Sequence, residues 1–393
     1  MLVLVAPGQG AQTPGFLAPW LDVPAVADRM TWWSAVTGLD LRYYGIEADA
    51  EEIRDTAVAQ PLLVAAALAS VLCLFPHPSD AFTLVGGAAG HSVGEISALA
   101  GTNVMSAEAA LVLVRQRGLA MAAAAAATPT GMTAVLGGDP DDVLATLRRH
   151  GLTAANVNGV GQVVAAGTTG ELAALAQDPP ERARLRALSV AGAFHTEHMA
   201  PAVERLETLT RAITLRDPRT RLISNADGSV VHHGRDAVDR VVRQVANPVR
   251  WDLCMQTMSD LGVTGVLEVP PAGTLTGLVK RALPNVETFA LKSPDDLVAA
   301  SEFVAQHGTQ SPFDASPTWR MLVAPMAGIF HRGDAEAGSR LVPSHRVGVL
   351  VARGDEHPVS APHGGTVIEW LVEDGDPVSP GQPLVRLYPD TQE

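Results

Sequence analysis

The stretch TLVGGAAGHSVGEISALAG, residues 83–101, decides the fold, because a run of small and apolar residues leads through GHSVGE into a helical segment. A GxSxG pattern between a strand and a helix is typical of a nucleophile elbow, in which flanking glycines relieve crowding in a tight turn that projects the serine hydroxyl. The N–H groups and positive dipole end of the following helix would stabilise negative charge near Ser92. We therefore predict that Ser92 is a nucleophile; an ordinary Gly-rich turn is the alternative.

Outside this stretch, short apolar runs alternate with longer helical segments up to about residue 291, which favours an α/β layer structure. The pattern predicts strands at residues 2–5, 83–86, 221–224 and 265–269, and helices at 106–125 and 202–212. Between about residues 128 and 188 it predicts strands at 132–137 and 162–166 and helices at 141–150 and 169–175. This β-α-β-like insert predicts a small subdomain.

Length and composition restrict the possible functions. The chain has 393 residues, of which 47% are hydrophobic and 18% charged, so we expect a folded protein with two domains. A formal net charge of -14 argues against a nucleic-acid surface, which needs clustered Lys and Arg. The two cysteines, Cys73 and Cys254, lie far apart in apolar stretches, which disfavours disulfides and a zinc site and fits a reducing cytoplasm.

No segment is predicted to cross a membrane. The N-terminal MLVLVAPGQG is a short apolar run without a basic flank or a cleavage site, and we interpret it as a first strand. The apolar segment 61–74 is shorter than the roughly 20 residues that a bilayer span needs, and residues 120–127 are mostly alanine. We therefore expect a cytoplasmic protein.

A serine nucleophile needs a base, and the best placed of the 12 histidines is His195 in GAFHTEHM. There the chain leaves the apolar stretch LSVAG and enters a helix, and catalytic side chains are often held where elements end. His198 would share a helical face with His195 and permits a metal pair, although the sequence offers no evident third ligand. An ordinary solvated or core histidine is the other alternative.

The segment PGQGAQ, which begins at Pro7, places glycines directly after the first predicted strand, so that backbone N–H groups can approach a ligand closely. It lacks both the GK[ST] ending of a P-loop and the GxGxxG spacing, which disfavours nucleotide binding. An oxyanion-hole loop fits better, with the N–H of Gln9 pairing with that of Val93, the residue after the nucleophile.

These residues together resemble the malonyl-CoA:acyl carrier protein transacylase family, which includes the acyltransferase domains of polyketide synthases. The resemblance runs in collinear order from PGQGAQ at Pro7 to LVKRAL at Leu278. The matching motifs between them are QP at Gln60, VRQRGLAM with Arg117, NxxxQVVxxG from Asn158, NPVRW at Asn247 and LEVPPAGTLTGLVKR at Leu267. One departure is Pro270, Pro271 and Ala272, where the family usually has GPG.

The resemblance implies a hydrolase-like large α/β subdomain with a parallel sheet, interrupted by a ferredoxin-like small subdomain at about residues 128–190. The active site would lie in the cleft between the two subdomains, and residues 1–307 would form this acyltransferase domain. The resemblance also implies that Ser92 is the nucleophile and His195 the base. A backbone carbonyl near Arg250 would orient the histidine in place of an acidic side chain.

By the same resemblance Arg117 decides the substrate class, because its planar fork can hold a free carboxylate through two charge-assisted hydrogen bonds. Acetyl-CoA offers no such partner, so malonyl is expected to be preferred; a surface arginine on an amphipathic helix is the alternative. Phe194 in GAFH would crowd the space that an α-methyl group needs, which with Val93 favours malonyl over methylmalonyl. Gln60 and Asn158 are assigned to substrate binding.

Residues 308–318, GTQSPFDASPT, have the composition of a linker, and residues 319–393 are predicted to form a small all-β domain. APMAGIF at Ala324 is echoed by APHGGTV at Ala361, which would give a pseudo-symmetric β-sandwich. The region resembles the biotinyl/lipoyl carrier domain, whose modified lysine would lie near Gly354. No lysine occurs after Lys292, so neither biotin nor lipoate is expected.

The sequence therefore predicts a ping-pong transfer of malonyl from malonyl-CoA, through a malonyl-serine ester, to the phosphopantetheine thiol of an acyl carrier protein in fatty-acid or polyketide-type biosynthesis. No permanently bound cofactor is expected, because coenzyme A enters as the substrate thioester. The degenerate C-terminal domain would contact a carboxylase, a synthase subunit, a carrier protein or another copy of the chain, or be a remnant. The alternatives are a thioester hydrolase and a non-catalytic scaffold subunit of a carboxylase or synthase assembly.

Overall fold

The computed structural model describes residues 1–159, 161–308 and 320–389. The chain divides into two compact units, Met1–Phe313 and Asp314–Glu393. Apart from Gly308, the predicted linker lies outside the described residues.

The helices of the first unit that the structure describes are α1 Ala18–Leu21, α2 Pro24–Thr37, α3 Leu41–Ile46, α4 Thr56–Leu74, α5 Pro78–Leu84, α6 Gly94–Gly101, α7 Ala107–Ala127, α8 Pro140–Arg149, α9 Thr169–Gln177, α10 Ala200–Thr210, α11 Gly234–Gln244, α12 Trp251–Asp260, α13 Thr274–Ala282 and α14 Leu297–His307. Short 3-10 helices occupy Glu52–Arg54, Glu197–Met199 and Pro294–Asp296. Its strands are β1 Leu2–Ala6, β2 Val85–Gly90, β3 Thr130–Gly137, β4 Thr153–Val157, β5 Gln162–Thr168, β6 Ala183–Ala187, β7 Arg221–Ile223, β8 Val230–Val231, β9 Val249–Arg250, β10 Gly265–Glu268 and β11 Glu287–Ala290.

The main sheet has the strand order β11-β10-β1-β2-β7-β8, with parallel pairing everywhere except between β7 and β8. Its central strand β2 is buried along its whole length. The sequence prediction of a strand at 83–86 is wrong in position, because Leu84 ends helix α5 and the strand continues to Gly90. Small residues in β2 allow neighbouring elements to pack closely: a Cβ on Gly86 would overlap the Met1 side chain.

The small subdomain has the chain order β3-α8-β4-β5-α9-β6, and its sheet has the strand order β6-β3-β5-β4-β9. This is the βαββαβ arrangement of a ferredoxin-like fold, with β9 added parallel to β4. Sequence analysis missed β4 and β6. Strand β6, ARLRA, has no fully buried residue, and Leu185 is its only large apolar side chain, so it carries little hydrophobic signal.

Helices α4 and α7 are long and apolar enough to cross a membrane by length and composition, but 83% and 56% of their most apolar windows are buried inside the protein. The prediction from the segment 61–74 underestimated α4, which begins at Thr56 because the Asp55 side chain accepts a hydrogen bond from the Ala57 N–H. Both helices contribute residues to the largest hydrophobic core. We therefore interpret them as core helices.

The second unit contains β12 Arg320–Val323, β13 Gly328–Arg332, β14 Arg340–Leu341, β15 Arg346–Ala352, β16 Asp355–Ser360, β17 Gly365–Trp370, β18 Pro377–Val378 and β19 Pro383–Pro389. These strands form two four-stranded sheets, β12-β19-β17-β14 and β16-β15-β13-β18. Exchanging β12 with β16, β13 with β17, β14 with β18 and β15 with β19 converts one order into the other, which is the pseudo-symmetry that the sequence repeat predicts. A separate hydrophobic core fills this unit.

Candidate active site

The turn between β2 and α6 places Ser92 at a constrained position. Ser92 has a φ of 52°, in the left-handed region that a side chain rarely adopts. A Cβ on Gly90 would overlap the backbone of Gly94, and a Cβ on Gly94 would overlap the carbonyl of Ala6. The two glycines of GxSxG are therefore required by close backbone contacts, and the resulting turn projects the Ser92 hydroxyl from the end of a buried strand.

The hydroxyl of Ser92 lies in hydrogen-bond contact with His195. The distance from Ser92 Oγ to His195 Nε2 is 2.8 Å, and His195 Nδ1 lies 2.7 Å from the backbone carbonyl of Gln244. Because a carbonyl only accepts, the ring carries its proton on Nδ1 and leaves Nε2 free to accept the serine proton. Burial, and secondly the nearby charge of Arg117, lower the pKa of His195 to about 3. The imidazole is therefore neutral at physiological pH.

The prediction that a carbonyl near Arg250 orients His195 is wrong, because Gln244 supplies it. Gln244 is the last residue of α11, and the final carbonyls of a helix have no intrahelical partner. The next carbonyl, of Val245, accepts the His195 N–H at 3.1 Å. Arg250 instead donates its N–H to the carbonyl of Asn225 and pairs its guanidinium with Asp252.

Arg117 lies in the middle of α7 and is only 1% exposed, which excludes the interpretation as a surface arginine. Its Nη1 donates to Gln60 Oε1 at 2.7 Å, and its Nη2 donates to Gln244 Oε1 at 3.0 Å and Ser92 Oγ at 3.3 Å. Burial lowers its pKa to about 10, so the group stays charged at neutral pH. Its Nε has no partner among the described residues.

The loop after β1 lies against the elbow, since a Cβ on Gly8 would come within 3.0 Å of the His91 carbonyl. Among the described residues, the backbone N–H groups of Gln9 and Val93 have no hydrogen-bond partner, whereas the N–H of Ser92 donates to Asn225 Oδ1 at 2.8 Å. Two unpaired donors therefore flank the nucleophile. The Gln9 side chain contacts the Arg54 carbonyl and the Thr56 hydroxyl instead.

The remaining predicted substrate-binding residues are buried beside these groups. Gln60 is 1% exposed, and its oxygen is used by Arg117. Asn158 accepts a hydrogen bond from Nε2 of His91, the neighbour of Ser92, at 2.9 Å. Phe194 is buried immediately before His195. Substrate contact by Gln60, Phe194 and Asn158 stays a prediction, and the contacts of Gln60 and Asn158 indicate that they also hold neighbouring side chains in place.

Sequence analysis missed a buried polar network behind the elbow. Glu95, 2% exposed, accepts hydrogen bonds from the Gln244 side chain at 2.6 Å and from the Asn225 N–H at 3.0 Å. Burial raises the pKa of Glu95 to about 7. Glu95 belongs to the quoted GHSVGE motif, but only the fold brings it next to residues about 130 and 150 positions away.

In the described part of the chain there is no group of three or more side chains suited to hold a metal ion. The metal-pair alternative for His195 and His198 therefore finds no third ligand there. Nε2 of His195 instead contacts Ser92 Oγ.

Most of the first unit is similar to known proteins. Residues 3–299 match the family model of the acyl transferase domain. The malonyl CoA-acyl carrier protein transacylase of Mycobacterium tuberculosis (strain ATCC 25618 / H37Rv) is 50% identical over 300 residues, which cover 76% of this chain and 98% of that protein. The protein of the same name from Escherichia coli (strain K12) is 32% identical over 305 residues, which cover 76% of this chain and 98% of that protein.

Solved structures give the same picture. The crystal structure of MCAT from Mycobacterium tuberculosis has a TM-score of 0.74 and 50% identity, and the match covers 77% of this chain and 99% of that chain. A type II polyketide synthase acyl carrier protein in complex with its malonyl-transacylase has a TM-score of 0.70 and 29% identity, covering 77% of this chain and 99% of that chain. Residues 320–389 lie beyond the residues that the family model matches.

Proposed function

The chain belongs to the acyl transferase family that includes the malonyl-CoA:acyl carrier protein transacylases, and from this premise we propose that Ser92, His195 and Arg117 carry its reaction. The protein is an acyltransferase that moves malonyl from coenzyme A to an acyl carrier protein. The observation that carries the assignment of residues is the position of Ser92 Oγ, 2.8 Å from His195 Nε2 and 3.3 Å from Arg117 Nη2.

In the first half-reaction, Ser92 Oγ attacks the thioester carbonyl carbon while its proton passes to His195 Nε2. The oxyanion of the tetrahedral intermediate accepts hydrogen bonds from the N–H groups of Gln9 and Val93. The carbon–sulfur bond then breaks, and the coenzyme A thiolate takes the proton from His195. A neutral imidazole in the resting enzyme suits this sequence, because it begins by accepting a proton.

The malonyl-serine ester keeps a free carboxylate, which Arg117 binds. The guanidinium is buried and paired only with neutral groups among its described contacts, so its charge remains available to the substrate. A carboxylate stabilises this buried charge, whereas the methyl group of acetyl does not. In the second half-reaction the carrier-protein thiol gives its proton to His195 and attacks the ester carbonyl. The ester carbon–oxygen bond then breaks, and Ser92 Oγ takes the proton back from His195.

Intact-mass analysis tests this assignment. After mixing with malonyl-CoA, the wild-type chain should gain one malonyl group, and Ser92→Ala should gain none. Adding carrier protein should remove the adduct and malonylate the carrier. An adduct that persists in Ser92→Ala would refute the assigned nucleophile.

The same measurement separates the alternatives. A thioester hydrolase would release malonate steadily whether or not carrier protein is present. A non-catalytic scaffold would form no adduct at all. The arrangement of Ser92, His195 and Arg117 favours the transferase over the scaffold.

We also propose that the second unit is a biotinyl/lipoyl-like domain retained for contacts. The hairpin of β15 and β16 turns at Arg353 and Gly354, both with positive φ, as in a two-residue type I′ turn. This tip, where the resemblance would place a modified lysine, offers no amine. The proposal of a cytoplasmic location rests on the sequence expectation alone.

We propose that the carrier protein docks in a surface groove of this unit through a negatively charged surface. The groove has a volume of about 610 Å³, and its lining includes His331, Arg332, Asp334, Arg340, His345 and Arg346. Local positive charge in a chain of net charge -14 favours a negatively charged surface. Carrier binding should weaken in Arg346→Glu but not in Arg320→Glu, an exposed arginine outside the groove lining; equal binding by both variants contradicts the proposal.

A further inference from the structure

Glu95 is a buried charged group for which the proposed reaction has no use. It lies in the first turn of α6, three residues after Ser92, and is 2% exposed. Its Oε2 accepts a hydrogen bond from Gln244 Nε2 at 2.6 Å, and its Oε1 accepts one from the Asn225 N–H at 3.0 Å. Burying a carboxylate is unfavourable unless its partners or its function compensate.

The charge of Glu95 fixes the orientation of the Gln244 amide. An ionised carboxylate only accepts hydrogen bonds, so the amide must turn its NH₂ group toward Glu95. Its oxygen is then directed to the guanidinium of Arg117, where Oε1 lies 3.0 Å from Nη2. The opposite orientation would place amide hydrogens against the hydrogens of the guanidinium.

Arg117 depends on this oxygen. Its other side-chain partners are Gln60 Oε1 and the Ser92 hydroxyl, and no carboxylate lies within ion-pair distance among the described residues. Two amide oxygens therefore hold the fork beside the nucleophile without neutralising it. Among the described residues, the Gln60 amide nitrogen has as its partner only the Met121 sulfur at 3.4 Å, which is a weak contact, so Glu95 supplies the charged anchor.

We infer that Glu95 is a positioning residue: through the Gln244 side chain it holds Arg117 beside Ser92 and thereby sets the preference for carboxylated acyl groups. This inference rests on the proposed roles of Ser92 and Arg117. Glutamine at position 95 cannot replace the carboxylate, because one of the two accepting oxygens becomes an NH₂ group, which would face either the Gln244 NH₂ or the Asn225 N–H, both of them donors.

The test compares initial rates of malonyl and acetyl labelling from the two thioesters at pH 8, above the raised pKa of Glu95. Glu95→Gln should lower the ratio of malonyl to acetyl rates by about tenfold or more. The double variant Glu95→Gln/Arg117→Ala should have the same ratio as Arg117→Ala, because the two residues act through one contact. An unchanged ratio in Glu95→Gln, or additive effects in the double variant, would overturn the inference.

The matched control is Glu268→Gln, which removes the charge of another fully buried carboxylate. Glu268 accepts hydrogen bonds from the N–H groups of Gly273, Leu275 and Thr276 at the start of α13. This variant should lose stability while keeping the malonyl-to-acetyl ratio. A ratio that falls equally in both variants would assign the effect to general loosening of the fold and overturn the inference.

If Glu95→Gln does not fold, Gln244→Leu provides the second variant. It removes the amide bridge but leaves the backbone carbonyl that orients His195, and its ratio should fall as well. A retained ratio in Gln244→Leu overturns the inference. Failure of the proposed function would appear separately, as absence of the malonyl adduct in the wild-type chain. If the wild-type chain and Arg117→Ala both behave as proposed, the variants of Glu95 and Gln244 test the role of Glu95 alone.

Discussion

Ser92 and His195 both have a left-handed backbone, with φ of 52° and 62°. Such conformations are unfavourable for residues with a Cβ and persist where the surroundings determine them. Ser92 is held by the glycine contacts of the elbow, and His195 by hydrogen bonds of its N–H and Nδ1 to the end of α11. The two reactive side chains are therefore positioned by backbone contacts.

The pKa of His195 leads to a prediction about pH. Because burial lowers it to about 3, the free enzyme keeps a neutral base throughout the range from pH 5 to pH 8. The kcat/KM for acylation by a neutral ester such as p-nitrophenyl acetate, which does not use Arg117, should fall by less than about twofold from pH 8 to pH 5. A loss with an apparent pKa near 6.5 would contradict the buried environment.

The raised pKa of Glu95 leads to a prediction about stability. The folded chain retains this proton up to about pH 7, while the unfolded chain loses it near 4.5. Its stabilising effect is therefore complete below pH 4.5 and is lost as the pH rises through 7, by roughly 3 kcal/mol at most. The lowered pKa of His195 has the opposite effect, since it makes the folded chain more stable as the pH rises from 3 to 6.5. The pH dependence of wild-type stability alone therefore does not report on Glu95.

The measurement is the free energy of urea unfolding of wild type and Glu95→Gln at pH 5 and pH 8. Hydrogen exchange of the α6 amides is a second measurement on the same two proteins. His195 contributes equally to both proteins, so their difference reports on Glu95. The wild type should lose stability relative to the variant as the pH rises. If the difference in unfolding free energy between the two proteins were the same at pH 5 and pH 8, it would contradict the prediction that the Glu95 carboxyl is buried and uncharged at low pH.

At the residue scale, the sequence predicted those site residues that stand in a short local motif. Ser92, His195 and Arg117 stand in short recognisable segments, and the structure brings all three together. The carbonyl partner of His195 was mispredicted, and Glu95 with Asn225 was missed. These contacts join residues far apart in the chain, so no local pattern contains them.

At the scale of elements, the elbow depends on how closely β2, α6 and the loop after β1 approach one another. A Cβ on Gly94 would overlap the Ala6 carbonyl and lie 2.8 Å from that of Pro7. Gly94→Ala should therefore destabilise the fold by about 3 kcal/mol or more, since overpacking against backbone has no flexible side chain to relieve it.

The control is Gly101→Ala at the other end of α6, where a Cβ would meet nothing within 4 Å. This variant should change stability by less than about 1 kcal/mol. Thermal unfolding of both variants makes the comparison. Equal stability of the two would show that the elbow is looser than the described contacts imply.

For the helices and strands that it named in the first unit, the sequence predicted the type of element better than its ends. The exception in position is β2, for which the predicted strand ended at Gly86, although the glycines and alanines up to Gly90 are buried in the sheet centre. Hydrophobic periodicity carries no signal where tight packing requires small side chains. Strand β6 was missed for a different reason, because this edge strand is short and has no buried residue.

At the scale of the whole molecule, the proposed catalytic residues and the buried network behind them all belong to the first unit. The family model matches residues 3–299, and 76% of the chain covers 98% of the Mycobacterium tuberculosis protein. A chain ending at residue 308 should therefore keep the rate of malonyl-serine formation within about twofold. It should bind the carrier protein more weakly than the full chain does, because the proposed docking groove is removed.

Two measurements test whether the first unit carries out acylation and the second unit binds the carrier protein: quenched time courses of labelling with malonyl-CoA, and a titration of carrier binding. Truncation that abolishes acylation would contradict the independence of the first unit. Truncation that leaves carrier binding intact would remove the proposed role of the second unit. The sequence predicted two domains from its length and a linker, but it left several partners open for the second domain, because the charged residues of the groove come together only in the folded sheets.

The central claim is that Arg117 selects carboxylated acyl groups at Ser92, and intact-mass labelling of wild type and Arg117→Ala with malonyl-CoA and acetyl-CoA tests it most directly. The account predicts that malonyl labels the wild type far faster than acetyl does, and that Arg117→Ala shows about 100-fold slower malonyl labelling together with acetyl labelling faster than that of the wild type. Equal labelling of the wild type by both thioesters would contradict it.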